Sequence, residues 1–112
     1  MAKVIVDTDI GTDVDDLWTL AAAVGRSDVD LVAVTVVYGD VGLRARLASL
    51  ALTGMGVSVP IGRGIGDPMS GKEVMWAGFE GVGVSGLDDA SAGSDDAVDL
   101  LCSLTAAGPG TV

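Results

Sequence analysis

Five carboxylates fall within ten residues near the start of the chain: Asp7, Asp9, Asp13, Asp15 and Asp16. They close the stretch Val4-Ile5-Val6-Asp7-Thr8-Asp9-Ile10-Gly11-Thr12-Asp13-Val14-Asp15-Asp16. Its apolar opening is of strand type, and an apolar run at helical spacing follows over residues 17–24. In a parallel α/β sheet the carboxyl ends of the strands face the crevice where ligands bind. Acids crowded there repel one another unless a cation sits among them. With no histidine and one distant cysteine, the available donors are oxygens. Oxygen-only sites favour a hard cation such as Ca²⁺ or Mg²⁺.

Three chemistries suit such a cluster. A cation lowers the pKa of a bound water, and a neighbouring carboxylate can take that water's proton. Phosphoryl transfer of the haloacid-dehalogenase kind, dependent on Mg²⁺, also begins with Asp-x-Asp after a strand. Asp7-Thr8-Asp9 satisfies that half, but Ile10 intervenes and Thr12 falls one place late. An EF-hand loop fails, because its twelfth position is Trp18 and its required glycine is Thr12. A helix cap with solvated acids accounts for one or two of these aspartates but not for five. A non-catalytic acidic fragment that binds calcium remains the other alternative.

The elements that would position the cluster alternate. Residues 4–6 read as a short buried strand. Asp13 or Asp15 is the expected cap of a helix that buries Leu17, Leu20, Ala21 and Val24 and stops at Gly25. Residues 31–38 form the clearest strand, rich in β-branched side chains, and end at Gly39-Asp40. A second helix with Leu43, Leu47, Leu50 and Ala51 on its buried face closes at Gly54 and Gly56. Residues 57–61, interrupted by Pro60, are a third strand near an edge or end. The order β-α-β-α-β predicts an α/β fold with a parallel sheet of the doubly wound, Rossmann-like type. Residues 62–94 then form a long glycine-rich loop, of a length more often functional than scaffold. Asp95 is placed to cap a third helix burying Ala97, Leu100, Leu101 and Leu104, with Gly108-Pro109-Gly110 as its stop. Thr111-Val112 looks like the start of a fourth strand, so the expectation is a truncated chain forming part of one larger domain.

Composition narrows the partners. A net charge of −10 over 112 residues argues against nucleic acid or an anionic membrane. Almost half the residues are apolar but few are aromatic, so the core must be Val, Leu and Ala. No apolar stretch approaches the ~20 residues needed to span a bilayer. Only three apolar residues separate Lys3 from Asp7, too few for a signal-peptide core, and a cytoplasmic protein is expected. Cys102 lies in the apolar pattern of the third helix and reads as core filler, with no histidine to activate it. Gly81-Val82-Gly83-Val84-Ser85-Gly86 matches Gly-x-Gly-x-x-Gly but lacks the strand before and the helix after that a dinucleotide site requires. Trp76 and Phe79 can either wall a planar ligand or anchor the long loop.

These residues together resemble the amino-terminal signature of the inosine–uridine preferring nucleoside hydrolases: a strand ending in Asp-x-Asp, then Pro or Ile, Gly, and an Asp-Asp pair opening a helix. Val34-Thr35-Val36-Val37-Tyr38-Gly39-Asp40 resembles the family's second strand and its Gly-Asn or Gly-Asp turn. Val59-Pro60-Ile61-Gly62-Arg63-Gly64 and Trp76-Ala77-Gly78-Phe79-Glu80-Gly81 are similar to two further family segments. The resemblance implies hydrolysis of the N-glycosidic bond of ribonucleosides, in purine and pyrimidine salvage, with Ca²⁺ as cofactor. It implies that Asp9 binds the cation and acts as general base, that Asp16 is a second ligand, and that Asp7 supports this metal group. It also implies that Asp15 and Asp40 contact ribose and that Phe79, standing where the family usually has His, borders the substrate. The loop before Asp15-Asp16 is two residues longer than the family's commonest form, which leaves Asp13 competing for a ligand role. Later family ligands and the leaving-group acid would lie beyond residue 112, so the isolated chain is expected to be weak or inactive. A homo-oligomer or a complementing chain would be a compatible partner.

Overall fold

The computed structural model describes residues 1–94 and 96–106. In chain order they form β1 (Ala2–Thr8), α1 (Asp15–Gly25), β2 (Val29–Val36), α2 (Val41–Gly54), β3 (Ile61–Arg63) and α3 (Ala97–Ala106). The three strands make one parallel sheet in the order β1-β2-β3. This is the expected α/β architecture, with a helix between each pair of consecutive strands. The expected roles of Asp95, Gly108-Pro109-Gly110 and Thr111-Val112 lie outside the described residues.

The central strand explains why the sheet is so apolar. Ala33, Val34, Thr35 and Val36 of β2 are all at 0 % exposure, so both faces of this strand are covered, as parallel sheets require. Val34 and Val36 join Leu20 of α1 and Ala45, Ala48 and Leu52 of α2 in a single core cluster. Thr35 is turned the other way, in register with Asp7 of β1, and donates its hydroxyl hydrogen to Asp7 Oδ1 at 2.6 Å. Gly62 of β3 lies so close to α3 that a β-carbon there would stand 2.8 Å from Ala97 Cα.

Several local expectations are corrected. Neither Asp13 nor Asp15 caps α1: Val14 occupies the cap position, without a side-chain cap. Asp15 and Asp16 instead lie inside the first turn, where carboxylates gain from the helix dipole without capping geometry. The third strand begins at Ile61 rather than at residue 57, because Pro60 offers no N–H and its carbonyl accepts from Val34 N. The deeply buried stripe of α2 is Arg44, Ala45, Ala48 and Leu52, one position round from the expected leucine face. Leu47, Leu50 and Ala51 are half-buried and border an apolar groove with Leu17 and Val84. Cys102 is exposed rather than core filler, since α3 meets β3 through Ala97 and Leu100.

The expected glycine-rich loop gives up Gly62 and Arg63 to β3; from residue 64 to 94 it holds no helix or named strand, but it is pinned at several places. It turns through Val82 N to Phe79 O, Val84 N to Gly81 O and Ala90 N to Leu87 O. It then returns beside β3, where Ser94 bridges Gly62 in parallel. Among the described residues, no helix is long and apolar enough to cross a membrane.

Candidate active site

β1 delivers its last residues to the carboxyl edge of the sheet, and the chain then turns sharply into α1. Gly11 makes that turn at φ 125°, and a β-carbon there would approach Leu47 Cδ1 to 2.7 Å. The turn aims its acids at a cavity of about 450 Å³. Asp9, Thr12, Asp13, Asp15 and Asp16 form one wall of it, and Tyr38, Met75 and Trp76 the other. The size falls within the roughly 300–1,000 Å³ of small-molecule sites.

Asp9 and Asp16 share the cavity's acidic wall, close enough for Asp16 to feel the charge of Asp9. Burial first, and then the hydrogen bond and charge of Asp9, push the Asp16 carboxyl up to about 6. Thr8 opposes this by hydrogen bonding to Asp16, while its Oγ1 accepts the Ile10 N–H at 3.0 Å. Two carboxylates pressed together hold a proton between them or share a cation. In kind, this donor set fits a hard divalent ion. In number it fits only in part: among the described residues, no three His, Cys, Asp or Glu side chains are grouped closely enough to hold a metal. Water and substrate hydroxyls would have to complete a shell of six to eight oxygens.

The opposite wall carries unusual backbone. Tyr38 and Trp76 are the non-glycine residues at positive φ, 71° and 57°, among the described residues. Bulky side chains avoid this region, and such conformations concentrate at ligand sites. Tyr38 Oη accepts from Met75 N at 2.8 Å, which ties the two halves of this wall together.

Behind the cavity lies Arg44, whose side chain is only 1 % exposed. Its guanidinium donates to the main-chain oxygens of Tyr38, Asp9 and Ile10, and more weakly to Thr12 Oγ1. It also pairs with Glu80, itself 7 % exposed, at 3.4 Å. Burial pushes the Glu80 carboxyl up. The backbone N–H groups of Glu80, Gly78 and Phe79, together with Arg44, outweigh that and hold it below the usual range.

The residues singled out from sequence do not all converge. Asp9, Asp15 and Asp16 line the cavity, and so does the competing Asp13. Asp7 is absent from the lining and is engaged by Thr35. Asp40 serves as the cap of α2, accepting from Leu43 N at 2.9 Å, and does not border the cavity. Phe79 is half-exposed on the same loop as Trp76 but outside the lining. Tyr38, Met75 and Arg44 were not foreseen as site residues. The one sequence signal for Arg44 was a cation spaced four residues from Ala48 and eight from Leu52, on what proves to be the buried stripe.

With this geometry established, comparison with known proteins identifies the class. The sequence pattern of the family described as inosine-uridine preferring nucleoside hydrolase matches residues 4–112. The chain therefore belongs to the inosine–uridine preferring nucleoside hydrolase family. At the level of the family this is a hydrolase fold of N-glycosidic chemistry acting on nucleosides. Neither the curated proteins nor the solved structures give a match.

Proposed function

We propose that this chain carries the water-activating half of a nucleoside hydrolase site and that it acts on ribonucleosides, releasing ribose and free base. The observation that carries this reading is the gathering of Asp9, Asp13, Asp15 and Asp16 at one wall of the cavity after β1. Asp9 and Asp16 would hold a Ca²⁺ ion, with Asp7 supporting the β1 end from behind. When bound, the ion would lower the pKa of its water and grip vicinal hydroxyls through hard oxygen contacts.

The chain's own residues then have distinct tasks. Asp9 takes the proton from the attacking water as general base. Asp15, in the first turn of α1, accepts hydrogen bonds from ribose hydroxyls. Positive charge builds on the sugar as the glycosidic bond breaks, and the surrounding carboxylates stabilise that charge. Tyr38 and Trp76 shield the reacting centre from bulk water. Asp40 and Phe79 reach substrate in this reading only if the segments that carry them shift toward the cavity.

The test is turnover of inosine and of uridine with added Ca²⁺, with ribose and base quantified together. The chain alone is expected to be weak or inactive; whatever it releases should be equimolar and reduced by about 10²–10⁴-fold in Asp9→Asn, the usual scale for losing a general base. Measurable turnover at equal rates for wild type and Asp9→Asn would contradict it. So would turnover confined to phosphate esters with Mg²⁺.

A further inference from the structure

Three segments far apart in sequence build the cavity: the carboxylate turn at residues 9–16, the turn after β2 at Tyr38, and the long loop at residues 75 and 76. Each is also held by the same side chain. Arg44 Nη1 donates to Asp9 O, Ile10 O and Thr12 Oγ1, Nε donates to Tyr38 O, and Nη2 pairs with Glu80. Glu80 uses its other oxygen, Oε2, to accept the Gly78 N–H at 2.7 Å, two residues from Trp76. Thr12 Oγ1 in turn reaches Trp76 O at 3.5 Å.

A buried guanidinium is expensive to desolvate, and a fold gains little from it over an apolar side chain of similar size. What only arginine offers is a rigid fork of five donors in fixed directions. Here that fork is spent on main-chain carbonyls of the very residues that shape the cavity. A lysine could satisfy one or two of these acceptors but could not span all three segments.

We propose that Arg44 is a positioning residue and that the Arg44–Glu80 pair is a latch, coupling the loop that carries Trp76 to the main chain of Asp9. When the loop is seated, Glu80 fixes the guanidinium and the guanidinium fixes the Asp9–Ile10 carbonyls. When the loop lifts, Glu80 leaves, and the peptide that aims the Asp9 carboxylate loses its orientation. The site is thereby assembled only under a closed loop, which also excludes water from the reacting sugar. The consequence for turnover rests on Asp9 being the general base; the mechanical coupling does not.

The experiment is amide hydrogen exchange on the full chain, with Glu80→Gln as the main variant and Glu73→Gln, an exposed acid of the same loop, as control. The reporter is the Ile10 amide, buried and bonded to Thr8 Oγ1. Glu80→Gln is expected to speed its exchange by about tenfold, the scale of weakening one charge-assisted hydrogen bond, while Val34 in the core and the Glu73→Gln control stay unchanged. Faster exchange confined to residues 78–80 would overturn the latch, as would equal acceleration of Ile10 and Val34. Arg44→Lys is the second variant: it should loosen Ile10 as Glu80→Gln does, and full retention of protection would overturn the role of the fork. In inosine hydrolysis, Glu80→Gln should lower kcat by more than it changes KM. Absence of turnover in wild type leaves the exchange result to decide the latch by itself, and the nucleoside reading is then decided by Ca²⁺ binding that ribose strengthens.

Discussion

Asp16 carries the clearest electrostatic perturbation in the lining of the cavity. Its carboxyl titrates near 6 in the folded chain because burial and then Asp9 disfavour its charge. A carboxyl raised above its unfolded value favours folding at low pH, and that contribution fades as pH climbs from about 4 through 6. Glu80, held low, acts in the opposite sense, stabilising the fold at neutral pH and losing that effect in acid. The two are separable by mutation. Urea denaturation of wild type and Asp16→Asn at a series of pH values should show the variant relatively more stable above pH 6, with the difference vanishing below about pH 4. A difference that stays constant with pH would contradict the assignment. Asp9→Asn removes the same repulsion from the other side and should lower the Asp16 titration toward the ordinary carboxylate range, measurable by NMR.

The elements were legible in the sequence where the cause is local and hidden where it is distant. Alternation of β-branched runs with helical spacing was enough to place β1, α1, β2 and α2. The Asp-x-Asp ending of β1 was enough to locate the cavity's acidic wall. The burial of Arg44 was not legible, because its acceptors are carbonyls and a carboxylate contributed by three remote segments. The start of β3 was missed because pairing with β2, rather than side-chain propensity, decides where a three-residue strand begins. Tyr38 was read as the end of a strand, yet its positive φ turns it into the cavity wall. Two substitutions probe these elements. Thr35→Val removes the hydroxyl that holds Asp7 and should cost about 1 kcal/mol, measured by chemical denaturation. Leu52→Ala, in the fully packed face of α2, should cost roughly 2–5 kcal/mol by the same measurement. Equal effects of the two would contradict the packing described for α2.

At the scale of the whole molecule, the chain carries 16 acids against 6 bases, and several of those acids are gathered at one edge of the sheet. The resulting field concentrates cations at the cavity and repels polyanions. Cation affinity should therefore weaken as salt rises, most steeply below about 0.15 M, where the screening length exceeds roughly 8 Å. The proposed function makes one requirement, that Asp9 binds a divalent cation together with ribose hydroxyls. The most direct measurement is a calorimetric titration of Ca²⁺ into wild type and Asp9→Asn, each with and without ribose. Saturable binding that ribose strengthens and Asp9→Asn abolishes is the predicted result. Binding that survives Asp9→Asn unchanged, or no binding at all with ribose present, would contradict it.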